Sequence, residues 1–280
     1  MTSEDAAAAG DDSDTSIGDR PTFDTSVAHQ ARMYDYMLGG KDNFAADRAA
    51  ADAAIKAFPG MVITARANRA FLGRAVRYLA AEAGIRQFLD IGTGIPAAGN
   101  THEIAQAAAP GSRIVYVDHD PVVLAHARAL LVSNGEGATD YIDADLRDTG
   151  TILRQAARTL DFSRPVAVML LSILHAIGDD DDPYRLVATL MDAVPPGSYL
   201  ALSHMGSDIL GPETGTELKS IGRQMGYQQY SYRSRAEVAR FFDGLDLVEP
   251  GLVRVEQWRP AVGIGTASQT ALWCGVARKP

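Results

Sequence analysis

From Gln87 onward, short apolar runs alternate with stretches of helical periodicity, and the first three runs each lead into an aspartate. This is the pattern of βαβ units, and it confines the chain to an α/β fold on a mostly parallel sheet. Residues 87–91, 113–117, 140–142, 166–173 and 198–203 read as strands, with helices between them at 101–109, 122–131, 149–160 and 184–193. A further helix is expected over 234–242, and closing strands over 247–258 and 270–277. No internal repeat is visible. Residues 205–233 are glycine-dotted and tyrosine-bearing, too long for an ordinary connection, which marks an inserted helix or a lid.

Upstream of Gly84 the texture is helical. Met33, Tyr36 and Met37 fall at helical spacing, Gly39-Gly40 interrupts, a second segment runs over 42–57, and Pro59-Gly60 breaks again. A third helix over 65–83 places Phe71, Ala75, Tyr78 and Leu79 on one face and ends at Gly84. The expected organisation is therefore an acidic disordered tail (1–26), a helical cap (27–84) and an α/β domain (85–280) carrying the 205–233 insertion.

Charge narrows the partners. Six acids and Arg20 in the first twenty residues account for −5 of the net −9, and Asp179–Asp182 for the other −4. The remainder is balanced and has no basic cluster, which argues against nucleic acid. The N-terminus lacks the pattern of a secretory signal, and the longest nearly apolar run, 166–177, is too short to span a bilayer, so the expectation is a cytoplasmic protein without membrane contact. Cys274, the single cysteine, excludes an internal disulfide and a cysteine-rich zinc site. The Asp179–Asp182 run is expected to be a solvated helix-start cluster, since consecutive residues diverge and do not converge on a cation. No metal is expected.

The chemistry is concentrated at the strand ends. In Phe88-Leu89-Asp90-Ile91-Gly92-Thr93-Gly94-Ile95-Pro96 a strand carrying an acid passes into two alternate glycines, a turn in which backbone can approach a ligand. Gly92-x-Gly94-x-x-Ala97 also satisfies a loose dinucleotide fingerprint. Pro96 to Gly99 lengthen the loop before Asn100, however, which with Glu103 resembles a capping box, and Asp90 would repel a pyrophosphate. A carboxylate there suits the α-ammonium of S-adenosylmethionine, which has no phosphate. Asp118 lies 24 residues after Gly94, near the offset of an acid that accepts ribose hydroxyls, although it could instead cap the next helix. Asp145, with Asp143 as its rival, stands beside Leu146, an acid for an adenine amino group next to an apolar side chain that packs on the ring. Three such acids outline one crevice at the carboxyl edge of the sheet.

Residues 32–44 (Arg32-Met33-Tyr34-Asp35-Tyr36-Met37-Leu38-Gly39-Gly40-Lys41-Asp42-Asn43-Phe44), 87–94, 115–128 and Glu249-Pro250-Gly251-Leu252-Val253 with Trp258-Arg259-Pro260 resemble a bacterial S-adenosylmethionine-dependent methyltransferase family long catalogued as a domain of unknown function. The resemblance covers about 27–279. It implies a class I, Rossmann-like methyltransferase fold of seven strands in the order 3-2-1-4-5-7-6, the last antiparallel, beneath the helical cap. By that match Asp90, Gly92 and Gly94 carry the methionine-side contacts, Asp118 the ribose and Asp145 with Leu146 the adenine. Pro96 stands where the class I motif has its third glycine.

The implied activity is methyl transfer from S-adenosylmethionine, leaving S-adenosylhomocysteine, to a small-molecule acceptor that the sequence does not identify; oligomeric state is unreadable. The alternatives are a binding protein without turnover and an NAD-dependent oxidoreductase. Further cofactor-site candidates are His119, Ser172, Tyr36 and Asn68, with Lys41, Arg66 and Arg69 near them; surface solvation is the bland reading of each arginine. His175, His204 and Tyr36 are the candidates for a catalytic role, and burial as structural histidine competes for the first two. Tyr227, Tyr230 and Tyr232 either line an acceptor pocket or simply pack.

Overall fold

The computed structural model describes residues 24–130, 136–226, 230–260 and 270–280. The acidic tail to residue 23, Tyr227 and the end of the helix expected to reach Leu131 lie outside them. Three helices open the described chain: α1 (Gln30–Leu38), α2 (Ala45–Ala57) and α3 (Met61–Arg77), the last running on into a π-helical turn, Tyr78–Glu82. The α/β body follows as β1 (Gln87–Ile91), α4 (Thr101–Ala108), β2 (Arg113–Asp118), α5 (Pro121–Leu130), β3 (Ala138–Asp143), α6 (Thr149–Ala156), β4 (Ala167–Leu171), α7 (Pro183–Asp192) and β5 (Tyr199–Met205). The 205–233 insertion is helical, α8 (Ser207–Leu210) and α9 (Pro212–Gln224), and a bridge between Gly206 and Arg233 closes its base. After it come α10 (Arg235–Ala239), β6 (Asp246–Leu247), β7 (Val253–Arg254) and β8 (Leu272–Arg278).

The sheet order is β3-β2-β1-β4-β5-β8-β6, with β7 also on β8; β1 to β5 are parallel and β8 runs antiparallel to β5. This is the class I order with one correction. The single strand expected over 247–258 is two short strands, because Pro250 offers no N–H to a ladder and the chain turns there before pairing again at Val253.

Both faces of the sheet are covered at its centre, so β1, β4 and β5 are buried along their whole length. Alternation sends Phe88, Ile114, Met169 and Ala201 to a core shared with α3, and Leu89, Val115, Val168 and Leu200 to one shared with α6 and α7. Trp258, fully buried, lies edge-on to Phe71 of α3 at 5.4 Å, and Arg74 donates to the carbonyls of Trp258 and Val255, both at 2.7 Å. The Trp258-Arg259-Pro260 motif is thus a structural staple between the C-terminal segment and α3.

The 32–44 motif is also structural. The Asp35 carboxylate accepts from the Asp42 backbone and the Asn43 side chain, both at 2.9 Å, and a Cβ on Gly40 would fall 1.9 Å from Asp35 Oδ1. Only glycine fits that approach, and the lock fixes the angle between α1 and α2. Buried Arg32, Asp47 and Asp120 then tie α1 to the sheet: Arg32 lies 3.6 Å from both carboxylates, and the half-buried His29 ring places its Nδ1 2.6 Å from Asp120. Burial pushes the Asp120 carboxyl up, but its hydrogen bond and charge interaction with His29 outweigh this and hold it below the usual carboxylate range. Together these contacts hold α1 across the carboxyl ends of the strands.

Candidate active site

A cavity of about 1070 Å³, open mouth included, lies over the carboxyl ends of β1, β2 and β4 beneath α1 and α3. Asp90, Gly92, Gly94, Asp118, His119, Asp145, Leu146, Ser172 and Asn68 all line it. Arg69 lines it as well, whereas Arg66 is exposed and is not part of its lining.

Asp90 is the deepest of the acids, 5% exposed, and accepts from the Thr101 hydroxyl at 2.6 Å. Burial raises its pKa to about 6, against the opposing pull of Thr101 and Arg69. Gly92 and Gly94 both have positive φ, +74° and +66°, and a Cβ on Gly92 would meet Ile173 at 2.6 Å. The loop is therefore closed to any side chain at Gly92. Beyond it the expected capping box is rearranged: Asn100 accepts from Ala97 N and Arg69, while Glu103 reaches Gly99 N. The turn is held by side chains, and the start of α4 stands back from the cavity.

Asp118 at the end of β2 accepts from Gly94 N at 2.9 Å, His119 N at 2.8 Å and Asp120 N at 3.1 Å. Helix α5 is capped by Asp120, which takes Val122 N at 2.8 Å. Asp118 is left to join the glycine loop to β2. A carboxylate has about four acceptor sites, so three backbone donors leave it roughly one. At the far end Asp145, not Asp143, borders the cavity, and both its oxygens are turned toward Arg147. Leu146 beside it is 5% exposed.

Ser172, one residue beyond β4, has φ +54°, an uncommon conformation for serine. Its N–H is held by Ser203, and its carbonyl accepts from the Gln30 side chain at 3.0 Å. Gln30 was not singled out in the sequence, although it shares a face of α1 with Tyr34 and Met37 at i, i+4 and i+7, a signal that was there to read. Its amide nitrogen also lies 2.9 Å from His175 Nε2, and its oxygen accepts from Tyr230 at 2.8 Å. Gln30, Tyr34 and Ser172 line both this cavity and a second one of about 710 Å³ between α1, α2, α3 and α9.

Three expectations are corrected. Tyr36 faces away and donates to Asp52 at 3.1 Å; two residues apart on a helix means about 200° of rotation, so Tyr34 points at the cavity and Tyr36 cannot. Lys41 is likewise exposed on the α1–α2 connection. His204 lines neither cavity: strand alternation turns Ser203 toward Asn68 and His204 to the other face, where Arg233 donates to its Nε2 at 2.9 Å. Burial, with His175 nearby, keeps the His204 ring neutral. His175 does line the second cavity, but burial and Arg233 lower its pKa to about 3. With Gln30 donating to its Nε2, it is ill-suited to take a proton. The acidic run is engaged too: Asp179 pairs with buried Arg233, Asp181 with Arg147, and Asp182 caps α7. Among the described residues no cluster could hold a metal, and no helix is long and apolar enough to cross a membrane.

A family model described as S-adenosyl methyltransferase matches residues 17–280. No curated protein matches the chain. Among solved structures, a DUF574 family protein from Streptomyces avermitilis is 45% identical with TM-score 0.87, covering 91% of this chain and 99% of its own. A candidate methyltransferase from Thermobifida fusca is 43% identical with TM-score 0.83, covering 91% and 96%. With the class I sheet order and the glycine loop at its carboxyl edge, these matches place the chain in the S-adenosyl methyltransferase family, a family of S-adenosylmethionine-dependent enzymes.

Proposed function

We propose that the sheet-edge cavity holds S-adenosylmethionine in the order methionine, ribose, adenine along Asp90, Asp118 and Asp145, and delivers its methyl group to a small molecule. The observation that carries this reading is the Asp90 carboxyl, buried at the floor of the cavity beside the Gly92–Gly94 loop. An ammonium group fits such a carboxyl, because each removes the other's cost of burial. Arg69 at the same end suits the cofactor carboxylate, the remaining acceptor capacity of Asp118 suits one ribose hydroxyl, and buried Leu146 suits the adenine face. Asp145, already held by Arg147, serves here as a weaker adenine partner.

When bound, the cofactor supplies an activated methyl on a sulfonium, itself a good leaving group. The protein's part is then to orient the acceptor atom at about 3–3.5 Å and to keep water away. Gln30, fixed at both ends of its amide, and strained Ser172 form the rim where such an atom would approach. Neutral His175 and buried His204 fit a mechanism without a histidine base. The test is transfer of labelled methyl from S-adenosylmethionine into metabolite extracts, with a Gly92→Val variant as control. Label entering a small-molecule product with wild type and not with the variant supports the reading; tight cofactor binding without any transfer would make the chain a binding protein.

A further inference from the structure

The second cavity has a lining unlike the first. It takes Met33 and Met37 from α1, Met61 from α3, Met205 from the end of β5 and Met225 from just beyond α9, and no Asp, Glu, Lys or Arg borders it among the described residues. An ion entering would lose its water and find no opposite charge. Five thioethers instead give an adaptable apolar wall. Polar groups gather on the side facing the sheet-edge crevice, where Tyr230 lies over the His175 ring at 5.5 Å and 30° and donates to Gln30. That stacked pair is a platform against which a ring can pack.

We propose that this cavity is the acceptor site and that it takes an uncharged, largely apolar small molecule carrying an aromatic ring. The assignment rests on the methyl-transfer reading of the neighbouring crevice, with which it shares Gln30, Tyr34 and Ser172. Placed there, the acceptor would have its ring among the methionines and its reacting atom at the Gln30–Ser172 rim.

The test uses three probes of one shape on the full chain at pH 7: 2-naphthol (neutral), 2-naphthoate (anionic) and 2-naphthylmethylamine (cationic). Each is titrated by calorimetry with and without saturating S-adenosylhomocysteine. The proposal expects 2-naphthol to bind at least about tenfold more tightly than either charged probe. It expects Ile221→Trp and Met61→Trp, which fill the cavity from α9 and α3, to weaken 2-naphthol by at least about tenfold while S-adenosylhomocysteine binding stays within about twofold, which also reports that each variant is folded. Equal or tighter binding of a charged probe, no binding of 2-naphthol, or naphthol binding that survives in a folded variant overturns the proposal. Failure of S-adenosylhomocysteine to bind wild type overturns the reading of the crevice instead, and the naphthol arm still reports on the cavity.

Discussion

The two cavities meet at Gln30, Tyr34 and Ser172 and are built on opposite principles. The crevice at the sheet edge is charged: a glycine loop and the acids Asp90, Asp118 and Asp145, with Arg69 and Arg147, are set among apolar side chains of the sheet and the helices above it. The cavity behind it is made largely of side chains from helices, with Met205 and Leu272 from the sheet; five methionines line it, and no charge is among its described lining. The difference teaches where constancy and adaptability lie in such a fold. Strand ends are held by hydrogen-bonded neighbours on both sides and fix a ligand's polar groups in place. Helix faces repack, and a thioether lining accommodates changes of shape.

The largest expected effect breaks the crevice alone. Gly92→Val combines positive φ with a β-branched side chain aimed at Ile173, at a cost of about 1–3 kcal/mol for the backbone and about as much for the clash. Calorimetry should find S-adenosylhomocysteine binding weakened by about a hundredfold or more, with 2-naphthol binding kept within about threefold.

Next comes the pH dependence of the crevice. Asp90 has a folded pKa of about 6, raised above 3.8 by burial, so the free protein holds a proton there below pH 6 that an ammonium-bearing ligand must displace. Affinity for S-adenosylhomocysteine should therefore rise with pH and level off above about 6.5, falling by up to about tenfold per unit below 6. Asp90→Asn should bind more weakly and flatten the profile. The same shift makes ionised Asp90 a destabilising group: its penalty is absent below about pH 3.8 and complete above about 6, so wild type should gain stability relative to Asp90→Asn as pH falls through that window. Urea midpoints at pH 4 and 7 check the sign.

The smallest effect sharpens the comparison from the other side. A Cβ at Gly222 would lie 2.4 Å from the Tyr230 ring. Gly222→Ala should shift that ring at a cost of about 1 kcal/mol, lowering 2-naphthol affinity by about fivefold with cofactor-product affinity unchanged.

The same contrast explains what could be read in advance. The crevice was legible because each piece is local: a strand, its terminal acid and the turn after it are contiguous, so Asp90, Gly92, Gly94 and Asp118 arrive together once the sheet forms. The strand order followed from the family resemblance. The second cavity joins Gln30 to Leu272 through helices whose packing no local signal reports, and of its lining only Tyr230 and Tyr232 read from the sequence as candidates for an acceptor pocket. Tyr36 was misplaced for Tyr34 because both belong to one motif, and the choice turns on which face of α1 meets the sheet. His204 was misplaced because strand alternation near a strand end assigns opposite faces to adjacent residues, and the apolar run of β5 hides which is which. The 32–44 motif drew attention as a site; it is largely the lock of Asp35 on Gly40, Asp42 and Asn43 that aims the site's roof.

The central claim is that Asp118 links the glycine loop to a ribose in this crevice. Calorimetric titration of wild type and Asp118→Ala with S-adenosylhomocysteine, with NAD as comparator, tests it most directly. A charge-assisted hydrogen bond contributes about 1.5–3 kcal/mol, so the account predicts affinity for S-adenosylhomocysteine weakened by about tenfold to a few hundredfold in the variant, and negligible NAD binding to either protein. Unchanged S-adenosylhomocysteine affinity in a folded Asp118→Ala protein, or NAD binding tighter than S-adenosylhomocysteine, would contradict it.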